Sequence, residues 1–110
     1  MDITRRDSTN VVTLAFKGRL DAASAAQAEA TIQEVLGSGK TKLLLDLSEL
    51  DYISSAGLRG ILNSAKRVGQ VQGKLVFTGL KGSVHEVLKI SGFLSILKVF
   101  PSEADALSEI

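Results

Sequence analysis

Residues 43–62, LLLDLSELDYISSAGLRGIL, change their hydrophobic period in mid-course, and that change limits the possible folds more than any other feature. The opening KLLLDL run is short, nearly all apolar and bounded by polar residues. This is the pattern of a central parallel strand covered on at least one face. From Leu58 the apolar positions become Leu58, Ile61, Leu62, Ala65 and Val68, at helical spacing, with Gly69 and Gly73 closing the segment. A buried strand that feeds a helix through a short polar turn is half of a βαβ unit, and such units build right-handed crossovers.

The same unit recurs along the chain. VVTLAFKG alternates Val12, Leu14 and Phe16 on one side, and DITRR can pair with it through the turn formers Asp7, Ser8, Thr9 and Asn10. GRLDAASAAQAEATIQEVLGSGK reads as a helix capped by Asp21 or Ser24 and ended by Gly37 or Gly39. Its buried stripe is Ala25, Ala28, Ile32, Val35 and Leu36. KLVFTGL is the next strand, and GSVHEVLKISG the next helix, with Ser83 and Glu86 at capping-box spacing and Gly92 as its stop. ILKVF is a last strand, and PSEADALSEI a final helix with Ser102 as N-cap. Pro101 stands at a boundary, where its missing amide costs little. The predicted order is β-β-α-β-α-β-α-β-α. It describes a single α/β domain over residues 1–110, with a mostly parallel open sheet of four to five strands and about four helices.

Composition excludes several classes of function. Thirteen basic and twelve acidic residues leave a net charge of +1, without the basic face that nucleic acid demands; Lys66 and Arg67 are the nearest thing to a cluster. There is no cysteine for thiolate metal ligation, and a single histidine, His85, excludes any site needing two imidazoles. MDITRRDSTN has no signal-peptide core, and no apolar run approaches the roughly 18 residues of a membrane helix. The expectation is a cytoplasmic protein without membrane insertion, nucleic-acid partner, metal or cofactor.

Ser54 and Ser55 sit where the strand ends and the helix begins, the place where open α/β sheets gather functional groups. Three readings compete. A serine there can cap the helix, contributing about 1 kcal/mol, although one cap needs one serine. A nucleophilic serine is a second reading, but Ile53 stands where the G-x-S-x-G elbow needs glycine, and His85 is the one available base. Phosphorylation is the third. A helix N-terminus offers free amides and partial positive charge, and the added charge would change how the surface meets a partner.

LLLDLSELDYISSAGLRGIL resembles the signature of STAS domains, specifically the free-standing bacterial anti-sigma factor antagonists. FKGRLDAASA resembles their other recurring segment, and the element order makes the likeness cover essentially the whole chain. The resemblance implies an open α/β domain whose strand-helix units wind as a short superhelix. It places the phosphoacceptor hydroxyl on Ser55, with Ser54 second, where antagonists often carry an acidic residue. Gly57 and Leu58 agree with the pattern, whereas Arg59 occupies a place where glycine is common. Asp21 matches a family aspartate near the partner-facing surface, and an N-cap role for it stays equally open. Asp46 and Ser48 fit as end-of-strand residues bordering the switch.

The resemblance further implies a partner-binding surface of Asp21, Tyr52, Ser54, Ser55, Ala56, Gly57, Leu58 and Arg59. The unphosphorylated domain would bind an anti-sigma factor that is also a GHKL-type serine kinase, freeing a sigma factor or other client. Phosphorylation of Ser55 would release the kinase, and a PP2C-type phosphatase would restore binding. ATP and Mg²⁺ would belong to the kinase, and the domain itself would not be an enzyme. The alternative is a STAS scaffold subunit without a phosphoswitch, as in a lipid-transport ATPase assembly, in which Ser55 is a buried cap or interface contact.

Overall fold

Two long neighbouring strands carry the architecture of the computed structural model, which describes residues 1–110. β2 (Val12–Leu20) and β3 (Lys42–Ile53) run parallel at the centre of a five-stranded sheet ordered β1-β2-β3-β4-β5. β1 (Asp2–Asp7) pairs antiparallel with β2, while β4 (Lys74–Thr78) and β5 (Lys98–Phe100) extend the sheet in parallel. The helices are α1 (Ala22–Gly37), α2 (Ser55–Gln70), α3 (Gly82–Ile90) and α4 (Glu103–Glu109). A single 3-10 turn at Phe93–Ser95 precedes β5. The α/β class, the mostly parallel sheet and the element order agree with the sequence reading.

Strand alternation distributes the core over both faces. Val12, Leu14 and Phe16 of β2 join Leu43, Leu45 and Leu47 of β3 in one buried cluster with Ala28, Ile32 and Val35 of α1. Leu58, Ile61 and Val68 of α2 and Val84 and Leu88 of α3 complete it. On the other face, Val11, Leu44 and Val76 pack under Ala106 of α4. Such burial stabilises by about 1.5–3 kcal/mol for each large aliphatic side chain. Of the five residues expected along the α1 stripe, four are buried and Leu36 is partly covered.

β3 is twice as long as the KLLLDL reading, and its geometry explains why. Against β2 the register slips between Ala15 and Lys17 and again between Gly18 and Arg19, with β3 supplying the extra residue each time. An extra residue shifts the inward position by one. Leu47, Leu50 and Ile53 are therefore all buried at a spacing of three, which does not look like a strand. Asp46 and Ser48 consequently lie within β3 and not at its end. There the Asp46 carboxylate accepts the Ser48 amide at 3.0 Å.

The helix termini also refine the sequence reading. α3 starts at Gly82 after Lys81, with no side-chain cap, so Ser83 and Glu86 form no capping box. The Ser83 hydroxyl instead donates to the Asp51 carbonyl at 3.0 Å, tying α3 to the end of β3. Ser102 caps α4 as expected, accepting the Asp105 amide. Gly92, at φ 82°, follows the end of α3 in the left-handed conformation that favours glycine. No helix is long and apolar enough to cross a membrane.

Candidate functional site

Two strand-to-helix corners meet at one end of the sheet, and the serine pair belongs to that junction. β2 ends at Leu20 and passes through Asp21 into α1; β3 ends at Ile53 and passes through Ser54 into α2. The Ser54 amide donates to the Leu20 carbonyl at 2.9 Å, fastening one corner to the other. Gly57, in the first turn of α2, rests on the same spot. A β-carbon there would collide with the Leu20 carbonyl oxygen and crowd the Leu20 side chain. Further along, Gly60 approaches Ala25 of α1, where an added β-carbon would stand 3.3 Å from the alanine methyl. Small residues on α2 thus let the two helices lie close.

The two serines have different tasks. Ser54, extended and half-buried, is the N-cap of α2: its hydroxyl oxygen accepts the Gly57 amide at 3.1 Å. Ser55 is the first helical residue and is exposed. The cap is therefore supplied without Ser55, contrary to a reading in which Ser55 is a buried cap. Neither hydroxyl is hydrogen-bonded to His85, whose Nδ1 lies 3.9 Å from Glu86 within α3. The nucleophile-and-base arrangement has no geometric counterpart here.

Asp21 is the N-cap of α1. Its carboxylate accepts the Ser24 amide, the Ala23 amide and the Ser24 hydroxyl, each at 3.1 Å. The Ser24 hydroxyl oxygen in turn accepts the Asp21 amide at 2.9 Å, completing a reciprocal capping box. Asp21 and Ser24 are thus partners in one cap. The Ser24 amide and hydroxyl bonds hold the Asp21 carboxyl below the ordinary carboxylate range, with the Ala23 amide and the Arg19 charge adding to the effect.

Among the expected surface residues, Tyr52, Ser55 and Arg59 are exposed, Asp21, Ser54 and Ala56 are half-buried, and Gly57 and Leu58 face the interior. The last two shape the surface by setting the height of α2 and not by forming it. One residue at this end is missing from the expected set. The guanidinium of Arg19 stacks over the Tyr52 ring, 4.1 Å from its centroid. The register slip before Arg19 places it opposite Tyr52. A sequence pattern gives no hint of that stacking, although Arg19 lies within the GRLD segment.

No group of three or more His, Asp or Glu side chains is placed to hold a metal ion. An apolar groove of about 430 Å³, lined by Val68, Phe77, Ile96 and Phe100, opens beyond the other end of α2, away from the serines. A larger, more open cleft of about 580 Å³ runs beside Arg19, Asp21 and Ser24. Neither Ser54 nor Ser55 lines either of these, so the serine pair itself stands on open surface.

With this geometry in view, a family model described as "STAS domain" matches residues 2–106. The chain belongs to the STAS domain family. Among its STAS relatives, the BtrV protein of Bordetella bronchiseptica is named as an anti-sigma factor antagonist. The two are 43% identical over 106 residues, covering 96% of this chain and 91% of that one. The crystal structure of a protein named in the same way, from Thermotoga maritima, superposes with a TM-score of 0.91 at 24% identity. That match spans 98% of this STAS domain and 93% of its counterpart. The Bacillus cell fate determinant SpoIIAA, solved in its phosphorylated form, shares the fold with a TM-score of 0.74 at 19% identity, over 98% of both chains.

Proposed function

We propose that this STAS domain is an anti-sigma factor antagonist working by partner switching. In its unphosphorylated form it binds an anti-sigma factor and frees the sigma factor or other client. The anti-sigma factor is a GHKL-type serine kinase that transfers phosphate from its own ATP, with Mg²⁺, to the Ser55 hydroxyl. The phosphorylated domain then leaves, and a PP2C-type phosphatase removes the phosphate. The domain is a cytoplasmic, non-enzymatic regulator.

The observation that carries this reading is the division of labour at the junction. Ser54 makes the cap, so the adjacent Ser55 hydroxyl is free and exposed at a helix N-terminus. No acidic residue occupies the first turn of α2 to repel an added phosphate. The names of the relatives and the phosphorylated form of SpoIIAA support the same reading.

Incubation with the cognate kinase and ATP, followed by mass spectrometry, tests it. Wild type gains one phosphate, and Ser55→Ala gains none. Stoichiometric phosphorylation of Ser55→Ala would remove Ser55 from the mechanism. A Ser55→Asp variant that binds the kinase as tightly as wild type would remove charge as the cause of release.

A further inference from the structure

α2 is an uninterrupted helix from Ser55 to Gln70, so Ser55 and Arg59 stand one turn apart on a common face. Both are exposed, while Gly57, Leu58, Gly60 and Ile61 turn inward. Long side chains on a helix lean back toward its N-terminus and cover the preceding turn. That preference puts the turn carrying the Ser55 hydroxyl within reach of the Arg59 side chain.

Two of the other cations near this end, Arg19 and Lys17, are engaged elsewhere. Arg19 lies over the Tyr52 ring, where its charge also helps to hold the Asp21 carboxyl low, and Lys17 stands 3.8 Å from Glu49. Lys81 is also unpaired, but it stands on another element, at the start of α3. Glu29 of α1 approaches α2 at Gly60 but forms no ion pair with Arg59. The ion pairs of the molecule engage Arg5, Arg6, Lys17, Lys40 and His85, and Arg67 donates to Gln33. Arg59 is left with its guanidinium uncommitted.

We propose that Arg59 is the intramolecular receptor for the phosphate of phosphorylated Ser55. This rests on the reading of Ser55 as the phosphoacceptor. A phosphoserine carries about −1.5 to −2 charge at neutral pH and three strong acceptor oxygens. The planar guanidinium fork matches two of them, and the i, i+4 spacing brings the groups together without any change in the helix. A partner that meets Arg59 free in one state then meets it bound to phosphate in the other. Phosphorylation would remove a cation from the docking face as well as adding an anion.

The test uses the full chain with phosphoserine installed at position 55 by genetic encoding, so its outcome does not depend on any kinase. Phosphorus NMR follows the second ionisation of the phosphate, ordinarily near pH ~6, in the background of wild type, Arg59→Gln and Arg19→Gln. The expected result is a midpoint in wild type at least ~0.3 unit below that in Arg59→Gln, with Arg19→Gln close to wild type. Equal midpoints in wild type and Arg59→Gln would overturn the proposal. So would an effect of Arg19→Gln as large as that of Arg59→Gln. If the kinase never modifies Ser55 but the installed phosphate titrates low, the switch fails and the pairing stands. If the kinase modifies Ser55 and the midpoint ignores Arg59, the pairing alone fails.

Discussion

At the scale of single residues, the junction separates two hydroxyls that are adjacent in sequence. Ser54 accepts the Gly57 amide, so Ser54→Ala loses a helix cap and should lower stability by about 1 kcal/mol. Ser55→Ala removes an exposed hydroxyl with no cap bond and should stay within about 0.5 kcal/mol of wild type. Urea denaturation of the two variants side by side checks this, and equal losses would contradict the division of roles. Asp21 supplies a pH signature. Its carboxyl, bonded by the Ser24 amide and hydroxyl, has a folded pKa below its unfolded value. The ionised form therefore stabilises the fold above the unfolded pKa of about 3.9, and that contribution fades as pH falls through the lower folded value. The stability gap between wild type and Asp21→Asn should be widest near neutral pH and close below about pH 4. Comparison with the variant isolates Asp21 from Asp7, whose carboxyl the Arg5 hydrogen bond likewise holds low. These roles were only partly legible in the sequence. Two serines and an aspartate at helix starts announced capping, but which serine caps depends on backbone torsions that residue identity does not encode. The stacking of Arg19 on Tyr52 needs the register of two strands 33 residues apart, which no local pattern supplies.

At the scale of elements, small residues decide how the two corners join. Gly57 and Gly60 face α1 and the end of β2, and a methyl group at Gly57 would strike the Leu20 carbonyl. Gly57→Ala should cost about 1–3 kcal/mol by overpacking, although alanine favours a helix over glycine. Thermal denaturation measures it, and a stabilised Gly57→Ala protein would show that the corners are not in contact. The order of strands and helices was readable because each helix has three-and-four apolar spacing and the strand at Leu43–Leu47 is almost wholly apolar. The far half of β3 was not. Leu47, Leu50 and Ile53 are buried at every third position because register slips interrupt the alternation on which strand recognition depends. The start of α3 was misjudged for a related reason: the Ser83 hydroxyl reaches the Asp51 carbonyl, a partner 32 residues away, in preference to a local cap.

At the scale of the whole molecule, stability is unevenly spread. β2 and β3 are flanked on both sides by other strands and buried under α1 and α2, whereas β5 is a three-residue edge strand. Ile90 and Ile96, near the end of α3 and before β5, are 82% and 65% exposed. Amide hydrogen exchange should therefore be slowest in β2 and β3 and reach the global unfolding limit there. The segment from Gly82 to Phe100 should open at lower free energy. Uniform protection across the sheet would contradict this.

The Leu20 carbonyl, shared by the Ser54 amide and the close approach of Gly57, has one more consequence for the proposed switch. A junction clamped in this way leaves the backbone little room to relax when a phosphate arrives. The chain would then add no slow step of its own to either direction of signalling. The domain would keep no record of its history except the phosphoester. The duration of a signal would be set by how long that bond survives the phosphatase, and the rigid corner would serve as the page on which one mark is written and erased.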